Sequence, residues 1–569
     1  MAADAVSVGM RPRRRRVTRA RIGTAVAVGA FTAGLGYLTV VPLVRLQALA
    51  FEDRGQGFVD AFTRPGIWTT IRMTIALALG SLAIALVFGT ALAWAANSLS
   101  PRLRPLRALP ILPIVVPAIA SVLGWGFLFS PRPGYLNALL RHLPWWTDID
   151  QGPINIYSLP WIIIITGLAL AAFVYLFVSA SLESINGELI EAAQVSGSSR
   201  AGVFFRVTLP LLRPALVYGG GVALLLGLGQ FTAPLLLGRT QGVSVLTTEM
   251  YFATKQEPAQ YALAAALGSP LLLFGVGVLV LQRVLLGDHA RFVTHGSKGF
   301  RPAARSSRLG AVAILLYTLF ATVLPIVALV IVALSTWWTG DIVPSTFTLD
   351  NFRNVIETSG ITSAIRTSLI VSVIAVGIAL PVGFIAASIL YRRREHRLMG
   401  PVLDFIVAMP LSIPAVIFGL GFLLTYTQGP VVLYGTNWVM ILVYVTLMLP
   451  FSTRMQLSGR VALGDAYIEA SRVSGAGPVR TNLSILAPLM RPTFGAAAAL
   501  MFVLLANEFT ASLLVRSPTV QVMGTVLFDT YDNGLYPVVA CVALIMILVT
   551  ALGVLLAVLL SGSDAFRRL

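Results

Sequence analysis

The chain has 569 residues, of which 57% are hydrophobic and 11% are charged. A soluble domain carries about a quarter charged residues, so this composition excludes an ordinary soluble protein and predicts a membrane protein. The net charge of +18 does not indicate nucleic-acid binding, because the basic residues lie between long apolar runs rather than on one face of a soluble domain.

In chain order, the sequence begins with a basic segment, residues 1–22, that precedes a long apolar run. We interpret this segment as the cytoplasmic flank of a retained first helix, because the run is too long for a signal peptide. A membrane-spanning helix needs about 20 mostly apolar residues, and such runs in lipid must be helical unless they close into a barrel. Pro117 and Pro414 each end a proline pair that predicts a kink in the third and ninth spans. The twelve predicted spans are 23–44, 73–97, 108–129, 159–181, 215–237, 261–286, 311–335, 367–390, 402–425, 438–455, 494–515 and 537–560.

Arginine-rich loops predict the orientation of these spans. Arginines cluster at the N-terminus, in residues 102–107, in the connector after the sixth span, in residues 392–397 and at the C-terminus. These clusters fall on one side if every span crosses once, and basic loops are retained in the cytoplasm. The sequence therefore predicts that both termini are cytoplasmic.

Two similar polar phrases interrupt the apolar sequence. EAAQVSGSSR begins at Glu191 and EASRVSGAGP begins at Glu469, an offset of 278 residues, and nine of 24 positions from each glutamate onward are identical. The same offset relates QFTAPLLL (230–237) to EFTASLLV (508–515). Each half holds six predicted spans, an even number, so the repeat is parallel. Parallel repeats pair about an axis along the membrane normal, which places a shared cavity between them.

The repeat defines the predicted fold class, an all-α polytopic membrane protein of about twelve transmembrane helices arranged as two parallel six-helix repeats. It also divides the chain into segments whose boundaries follow from the spans and the repeat. The predicted segments are the basic N-terminus 1–22, the first helix and external loop 23–66, the first core 67–282, the cytoplasmic linker 283–310, the seventh helix and external loop 311–360, the second core 361–557 and the cytoplasmic tail 558–569.

The repeated phrase is too polar to insert and compatible with a helix. Gly197 and Gly475 break each copy, since glycine permits the sharp backbone turn that a second short helix requires. Pro210 and Pro488 mark the return into the membrane, because proline is tolerated in the first turn of a helix. We expect a short helix, a turn and another helix at the cytoplasmic surface, suited to contact a soluble partner. A single copy would be explained by an ordinary amphipathic connector, but two matched copies favour the partner site.

These residues resemble the coupling-loop signature of bacterial ABC importer permeases, which is Glu-Ala-Ala, three residues, Gly, nine residues and Ile-x-Leu-Pro. The first copy departs only by Val207 in place of Ile, whereas the second has Ser471 in place of Ala and Ala487 in place of Leu. The resemblance implies a type I importer fold over both cores. The positions to which it assigns ATPase coupling are Glu191, Ala192, Ala193, Gly197, Pro210, Glu469, Ala470, Gly475 and Pro488.

The resemblance also implies partners. Two copies of a cytoplasmic ATP-binding subunit would dock on the loops, and an extracytoplasmic substrate-binding protein would deliver the solute to this permease in the bacterial cell membrane. The chain itself is then not an enzyme and binds no cofactor, since ATP is used by the partner subunits. The residues agree, because neither Lys255 nor Lys298 stands in the Gly-Lys-Ser/Thr pattern of a phosphate-binding loop.

The fusion of two halves in one chain is similar to the ferric-iron and thiamine import permeases. We therefore expect ferric iron as the solute, with thiamine, a polyamine or a phosphonate as alternatives. An ion-gradient-driven twelve-span transporter is a further alternative, but it needs acidic residues in several spans, and only Glu508 is a candidate. An intramembrane enzyme would need a nucleophile or metal constellation. The lone Cys541 excludes a cysteine metal cluster, and the histidines lack zinc-ligand spacing.

Polar residues at the repeated segment after the fifth and eleventh spans are candidates for the translocation pathway. Acidic residues in spans are costly and usually face the bundle interior, so Glu508 would line a passage. The alternative is that Glu508 caps a helix or pairs with Arg516. The candidate pathway residues are Gln230, Thr232, Asn507, Glu508 and Thr510.

Overall fold

A computed structural model describes residues 19–146, 150–185, 187–286, 308–392, 398–428 and 431–561. These described residues form helices and turns and contain no β-strand. Most of the predicted basic N-terminus, most of the linker, the basic loop at residues 393–397 and residues 562–569 of the predicted tail lie outside the described residues.

The helices of the first half follow the apolar runs and the loop between them. In chain order they are α1 (Arg19–Thr63), α2 (Ile67–Asn97), α3 (Leu112–Val115), α4 (Ala118–Phe129), α5 (Tyr135–Arg141), α6 (Leu159–Ser184), α7 (Gly187–Val195), α8 (Arg200–Val203), α9 (Leu209–Leu211), α10 (Arg213–Leu228), α11 (Thr232–Leu237), α12 (Leu246–Thr254) and α13 (Tyr261–Leu286). The 3₁₀ segments Pro101–Ile111 and Gly238–Gln241 and the π-helical turn Phe204–Thr208 join them.

The second half repeats this order with its own flanking helices. These are α14 (Arg308–Thr318), α15 (Leu324–Leu334), α16 (Asp350–Glu357), α17 (Ser359–Tyr391), α18 (Met399–Ser412), α19 (Ala415–Thr427), α20 (Asn437–Leu463), α21 (Ala466–Val473), α22 (Pro478–Thr481), α23 (Ala487–Leu489), α24 (Arg491–Ala506), α25 (Thr510–Val515), α26 (Met523–Asp532) and α27 (Tyr536–Ser561). The π-helical turns Leu319–Val323 and Asn482–Leu486 and the 3₁₀ turn Pro344–Thr346 complete it.

The described residues contain nine helices long and apolar enough to cross a membrane, or up to twelve when three bent pairs each count as one span. Every predicted span falls on one of these helices or bent pairs. The predicted all-α polytopic fold with two repeats is therefore confirmed. Helix is the form that lets each backbone group in lipid find its partner within the segment.

Two of the bent pairs are the spans in which the sequence predicts kinks. The helix axes turn by 93° between the first segment of the third span and α4, and by 108° between α18 and α19. Pro117 and Pro414 occupy the N-cap positions after the two breaks. A proline pushes the residue before it towards extended backbone, and Val116 and Ile413 have ψ angles of 129° and 128°. The predicted kinks are confirmed, and they are sharp breaks.

The flanking helix of each half packs on the broken span of the other half. On α19, a Cβ atom added at Gly421 would lie 2.8 Å from the carbonyl oxygen of Pro42 in α1. On α4, a Cβ atom at Gly124 would lie 2.4 Å from the carbonyl oxygen of Pro325 in α15. Such close backbone approach requires glycine, as at other tight helix crossings in membranes. The two halves are thus interlocked by equivalent contacts.

Candidate coupling loops and translocation pathway

The first polar phrase forms helix α7, a turn and helix α8, followed by a π-helical turn and α9. Gly197 stands in the turn with φ +84°, and no atom lies within 4 Å of the place where its Cβ would be. This left-handed backbone is available to glycine without strain, so the conformation and not the space requires the residue. Glu191 and Ala192 are exposed, Ala193 is half-buried, and Pro210 lies in α9.

The second phrase has the same form 278 residues later. Helix α21, a turn with Gly475 at φ +76°, helix α22, a π-helical turn and α23 follow in the same order. Glu469 and Ala470 are exposed, and Pro488 lies in α23 as Pro210 lies in α9. We call residues 187–211 the first loop and residues 465–489 the second loop.

Both loops expose apolar side chains at equivalent positions. Val195 and Val473 are 89% and 90% exposed, and Leu189 and Tyr467 are 43% and 46% exposed. The matched values follow from the matched backbone. Exposing an apolar side chain to water costs free energy, and the repeat keeps two such side chains at the same positions in each loop.

The candidate pathway residues lie at two equivalent junctions, between α10 and α11 and between α24 and α25. In the first junction, the Gln230 side chain donates to Thr166 Oγ1 at 3.2 Å, and its own oxygen accepts from the Phe231 N–H at 3.1 Å. Thr232 begins α11 and is buried. Thr247 Oγ1 donates to the Gln230 carbonyl at 2.6 Å, which ties the junction to α12.

In the second junction, Glu508 caps the start of α25, which Thr510 begins. Its two carboxylate oxygens accept from the backbone N–H groups of Ala511 at 2.9 Å and Ser512 at 3.0 Å, and the Ser512 hydroxyl adds a third bond at 2.6 Å. Asn507 donates to the Val115 carbonyl of the first half at 3.4 Å. The structure therefore shows the helix cap that the sequence left as an alternative.

Arg516, the alternative partner of Glu508 in the sequence analysis, pairs with a different acidic residue. Arg516 Nη1 pairs with Asp529 at 2.6 Å, and the exposed pair Arg239–Asp532 joins the two halves at 3.6 Å. Nearby, burial lowers the pKa of the Lys255 amine, Arg516 lowers it further and Asp529 opposes the shift. The region beside the second junction therefore contains ion pairs as well as the Lys255 amine.

Four aromatic rings lie across the contact between the two halves. Phe231 and Phe509 follow the two junctions, and their ring centroids are 5.9 Å apart. Tyr251 of α12 contacts Phe231 at 5.8 Å, Phe528 of α26 contacts Phe509 at 5.8 Å, and Tyr251 and Phe528 meet at 6.3 Å. We call Phe231, Tyr251, Phe509 and Phe528 the aromatic quartet. Its ring geometry is the tilted and edge-to-face packing that aromatic pairs prefer.

The sequence did not single out the aromatic quartet. The offset of 278 residues pairs Phe231 with Phe509 inside the repeated segments, and a nearly equal offset pairs Tyr251 with Phe528. That signal was available, but aromatic residues are common in apolar spans. Among the described residues, no group of three or more His, Cys, Asp or Glu is arranged to hold a metal ion.

The chain belongs to the family of binding-protein-dependent transport system inner membrane components, whose model matches residues 106–287 and again residues 379–563. It is an ABC importer permease in the two-half form, and hence a multi-pass inner-membrane protein. No enzyme family is indicated.

Similar proteins include other transport permeases. The chain is 26% identical over 476 residues to the ferric transport system permease protein FbpB of Actinobacillus pleuropneumoniae, a match that covers 82% of this chain and 67% of that protein. It is 26% identical over 508 residues to the probable ABC transporter permease protein y4fN of Sinorhizobium fredii, covering 84% and 85% of the two chains. A crystal structure of a bacterial alginate ABC transporter is 22% identical with a TM-score of 0.40, covering 49% of this chain and 98% of that chain.

Proposed function

We propose that this chain forms the translocation pathway of an importer and that two separate ATP-binding subunits drive it through the two loops. The observation that carries this proposal is the pair of loops with the same helical order, the same left-handed glycine and the same exposed apolar positions. One subunit on each loop would preserve the pseudo-two-fold relation between the halves. The chain would bind no nucleotide itself, and an external binding protein would deliver the solute.

The exposed apolar residues of the loops suit a groove on a soluble subunit. A helix that presents an apolar side chain every third or fourth residue docks by placing that face into an apolar groove. In the first loop, the exposed Leu189, Ala192 and Val195 follow a three-residue spacing. Tyr467, Ala470 and Val473 are their exposed equivalents in the second loop. Glu191 and Glu469 lie beside them and would contact the polar rim of the groove.

The pathway runs between the halves and is closed in this conformation by the aromatic quartet. Support comes from the position of the rings, which bridge the two equivalent junctions that hold the candidate pathway residues. A tilt of one bundle against the other would separate Phe231 from Phe509, since each ring moves with its own half. The charged pairs beside the quartet would break and re-form in the same movement.

Ferric iron is the proposed solute. Support comes from the relatives named ferric transport permeases, of which this chain spans about two thirds of the length (67% and 66%). A shorter match to the 2-aminoethylphosphonate permease PhnV of Salmonella typhimurium covers 43% of this chain and keeps a phosphonate as a candidate solute, beside thiamine and polyamines. Uptake of radioactive ferric iron by cells with and without the gene decides the assignment, and unchanged iron uptake would end it.

The coupling role is tested at the two loop glycines. The double variant Gly197→Val, Gly475→Val forces a β-branched residue into left-handed backbone, at a cost of about 1–2 kcal/mol per site, or roughly five- to thirtyfold in the population of the docking conformation. We expect co-purification of the ATP-binding subunit to fall accordingly. Gly477→Ala is the matched control, because Gly477 has φ −73° and open space around it. Normal assembly and normal uptake in the double variant would contradict the proposed coupling role of the loops.

A further inference from the structure

One face of α20 carries three polar residues towards α17. Ser452, Gln456 and Arg460 are spaced by four, so they lie one above another on the same face of the helix. Ser452 Oγ donates to the Ala379 carbonyl at 2.7 Å, and Gln456 Nε2 donates to the Leu380 carbonyl at 3.0 Å. All three side chains are at most 2% exposed. We call Ser452, Gln456 and Arg460 the polar ladder.

The polar ladder ends in contacts with the second loop. Arg460 Nη1 donates to Asn482 Oδ1 at 3.1 Å, in the π-helical turn of that loop. The guanidinium group also lies over the Tyr391 ring, 5.4 Å from its centroid, and the Tyr391 hydroxyl donates to Asp465 at 2.7 Å. The start of the second loop and its later turn are therefore both held by the ends of α17 and α20.

Hydrogen bonding continues inside the second loop. The hydroxyl groups of Ser471 in α21 and Thr481 in α22 are 2.7 Å apart, and both side chains are buried. This contact joins the two short helices across the glycine turn. The second loop thus has directional contacts within itself and with the bundle that carries it.

The first half has apolar residues at all six corresponding positions. Its α6 packs on α2 through buried side chains, and its loop is held by a ring contact of 4.9 Å between Trp94 and Phe204. The ion pair at this end, Arg107–Glu183, has side chains 30% and 62% exposed. The residues that correspond to Ser452, Gln456, Arg460, Ser471, Thr481 and Asn482 are Val174, Val178, Leu182, Ala193, Val203 and Phe204.

Apolar and polar contacts respond differently when one helix slides along another. Dispersion contacts between helices are individually weak and non-directional, and they oppose sliding only where the helices are closely packed, as at Gly89 and Val174. A hydrogen bond weakens steeply when its donor moves out of line, and an unpaired polar group in the interior is costly. A ladder of buried hydrogen bonds therefore adds directional contacts that run from α17 through α20 into the second loop. In the first half, polar contacts between α2 and α6 run through Arg107, which lies outside the loop and donates to the Ala96 carbonyl at 2.9 Å and to Glu183 at 3.2 Å.

We propose that the polar ladder makes the second loop a rigid extension of its bundle, with Arg460 as the positioning residue, whereas the first loop moves more freely. This inference rests on the proposed coupling function. It assigns the two loops unequal parts: movement of the ATP-binding subunit on the second loop is transmitted directly to α17 and α20. Loss of Arg460 would then uncouple ATP hydrolysis from transport without removing the docking surface.

The experiment replaces Arg460 with the residue of the first half. In the full complex reconstituted in proteoliposomes, Arg460→Leu should retain ATP hydrolysis and lower the radioactive ferric iron taken up per ATP by about three- to fifteenfold, the range expected for an interhelical hydrogen bond in a membrane. Arg460→Lys keeps the charge and one donor and should restore part of the ratio. Arg454→Leu is the matched control, because Arg454 lies on α20 but pairs with Asp404 at 2.7 Å, away from the loop. An unchanged ratio in Arg460→Leu, or an equal fall in Arg454→Leu, would overturn the proposal.

A second measurement does not depend on the solute or on ATP. Hydrogen exchange is measured on the full detergent-solubilised chain. The backbone amides of α21 and α22 should exchange at least about three times more slowly than those of α7 and α8, which is the effect expected from the free energy of one interhelical hydrogen bond. The double variant Ser471→Ala, Thr481→Val should accelerate exchange in the second loop alone. It also provides a test of the proposal if Arg460→Leu does not fold. Equal exchange rates in the two loops would contradict the proposed difference in rigidity between them, even if the variants at Gly197 and Gly475 support the coupling role. Intact assembly in the glycine variant would instead reject the proposed function.

Discussion

The carboxylate of Glu508 is engaged by three donors in the first turn of α25. An acidic residue in an apolar stretch has two ordinary explanations, a ligand for the solute or a partner for unpaired backbone groups. The geometry favours the second. The first half supports it, because Gln230 holds the equivalent place and its side-chain oxygen likewise accepts a backbone N–H. An amide at this position is thus compatible with the fold.

Substitution of Glu508 separates the cap from a ligand role. Glu508→Gln keeps an acceptor and should lower the midpoint of thermal unfolding only slightly, with uptake per folded molecule close to that of the wild type. Glu508→Ala loses all three side-chain hydrogen bonds and should destabilise the chain by about 0.5–2 kcal/mol, the usual value of a cap. Thermal unfolding and uptake, measured on the same preparations, check this. A Glu508→Gln chain of normal stability that fails to transport would make Glu508 a solute ligand.

The sequence predicted that Glu508 is special but not which role it has. The position of Glu508 in an apolar run is visible in the sequence. Its role as a helix cap depends on the short connection between α24 and α25, and the repeat pattern does not predict where α24 ends and α25 begins. Arg460 was missed for a related reason. A basic residue near the end of a span reads as a surface anchor, and only the fold shows its side chain to be buried between Tyr391 and Asn482.

Among the secondary-structure elements, equivalent helix pairs pack at equivalent glycines. A Cβ atom at Gly89 of α2 would lie 2.6 Å from Val174 Cβ in α6, and one at Gly383 of α17 would lie 2.1 Å from Ser452 Oγ in α20. Helices in lipid gain little from burying apolar surface against each other, so close packing at small residues supplies the attraction. These crossings fix the core of each half.

Enlarging one of these glycines should disrupt its helix pair. Gly383→Leu overpacks the crossing and should destabilise the chain by about 1–3 kcal/mol or more. Gly377→Leu lies on the same helix, where no atom is within 4 Å of the added Cβ, and should be tolerated. The fraction of monodisperse protein after detergent extraction and the unfolding midpoint measure the difference. Equal behaviour of the two variants would show that the crossing is not tight.

Most elements were predictable, because apolar runs of about 20 residues specify spanning helices. The kinks were predictable from Pro117 and Pro414, but the angles of 93° and 108° were not. A proline biases only the residue before it, whereas the helix after each break also packs closely, at Gly124 or Gly421, on the other half's flanking helix. Such contacts connect residues far apart in the chain and leave no local periodicity.

At the scale of the whole molecule, the two halves form one unit, and the proposed passage would run between them. The flanking helices interlock the halves, and the aromatic quartet bridges them at the junctions that hold the candidate pathway residues. The parallel repeat predicted this pseudo-symmetry from the even number of spans in each half. It did not predict the different anchoring of the two loops, which comes from single substitutions between otherwise equivalent positions.

Uptake of radioactive ferric iron into proteoliposomes, with and without ATP, tests the central claim that the chain is an ATP-coupled pathway between its halves. With the ATP-binding subunit and the binding protein present, the wild-type chain should accumulate the solute only with ATP. Phe231→Ala with Phe509→Ala should admit it without ATP, while Phe274→Ala with Phe320→Ala, at exposed positions, should not. Accumulation by the wild-type chain without the ATP-binding subunit, or a Phe231/Phe509 variant that folds and stays closed, would contradict the account.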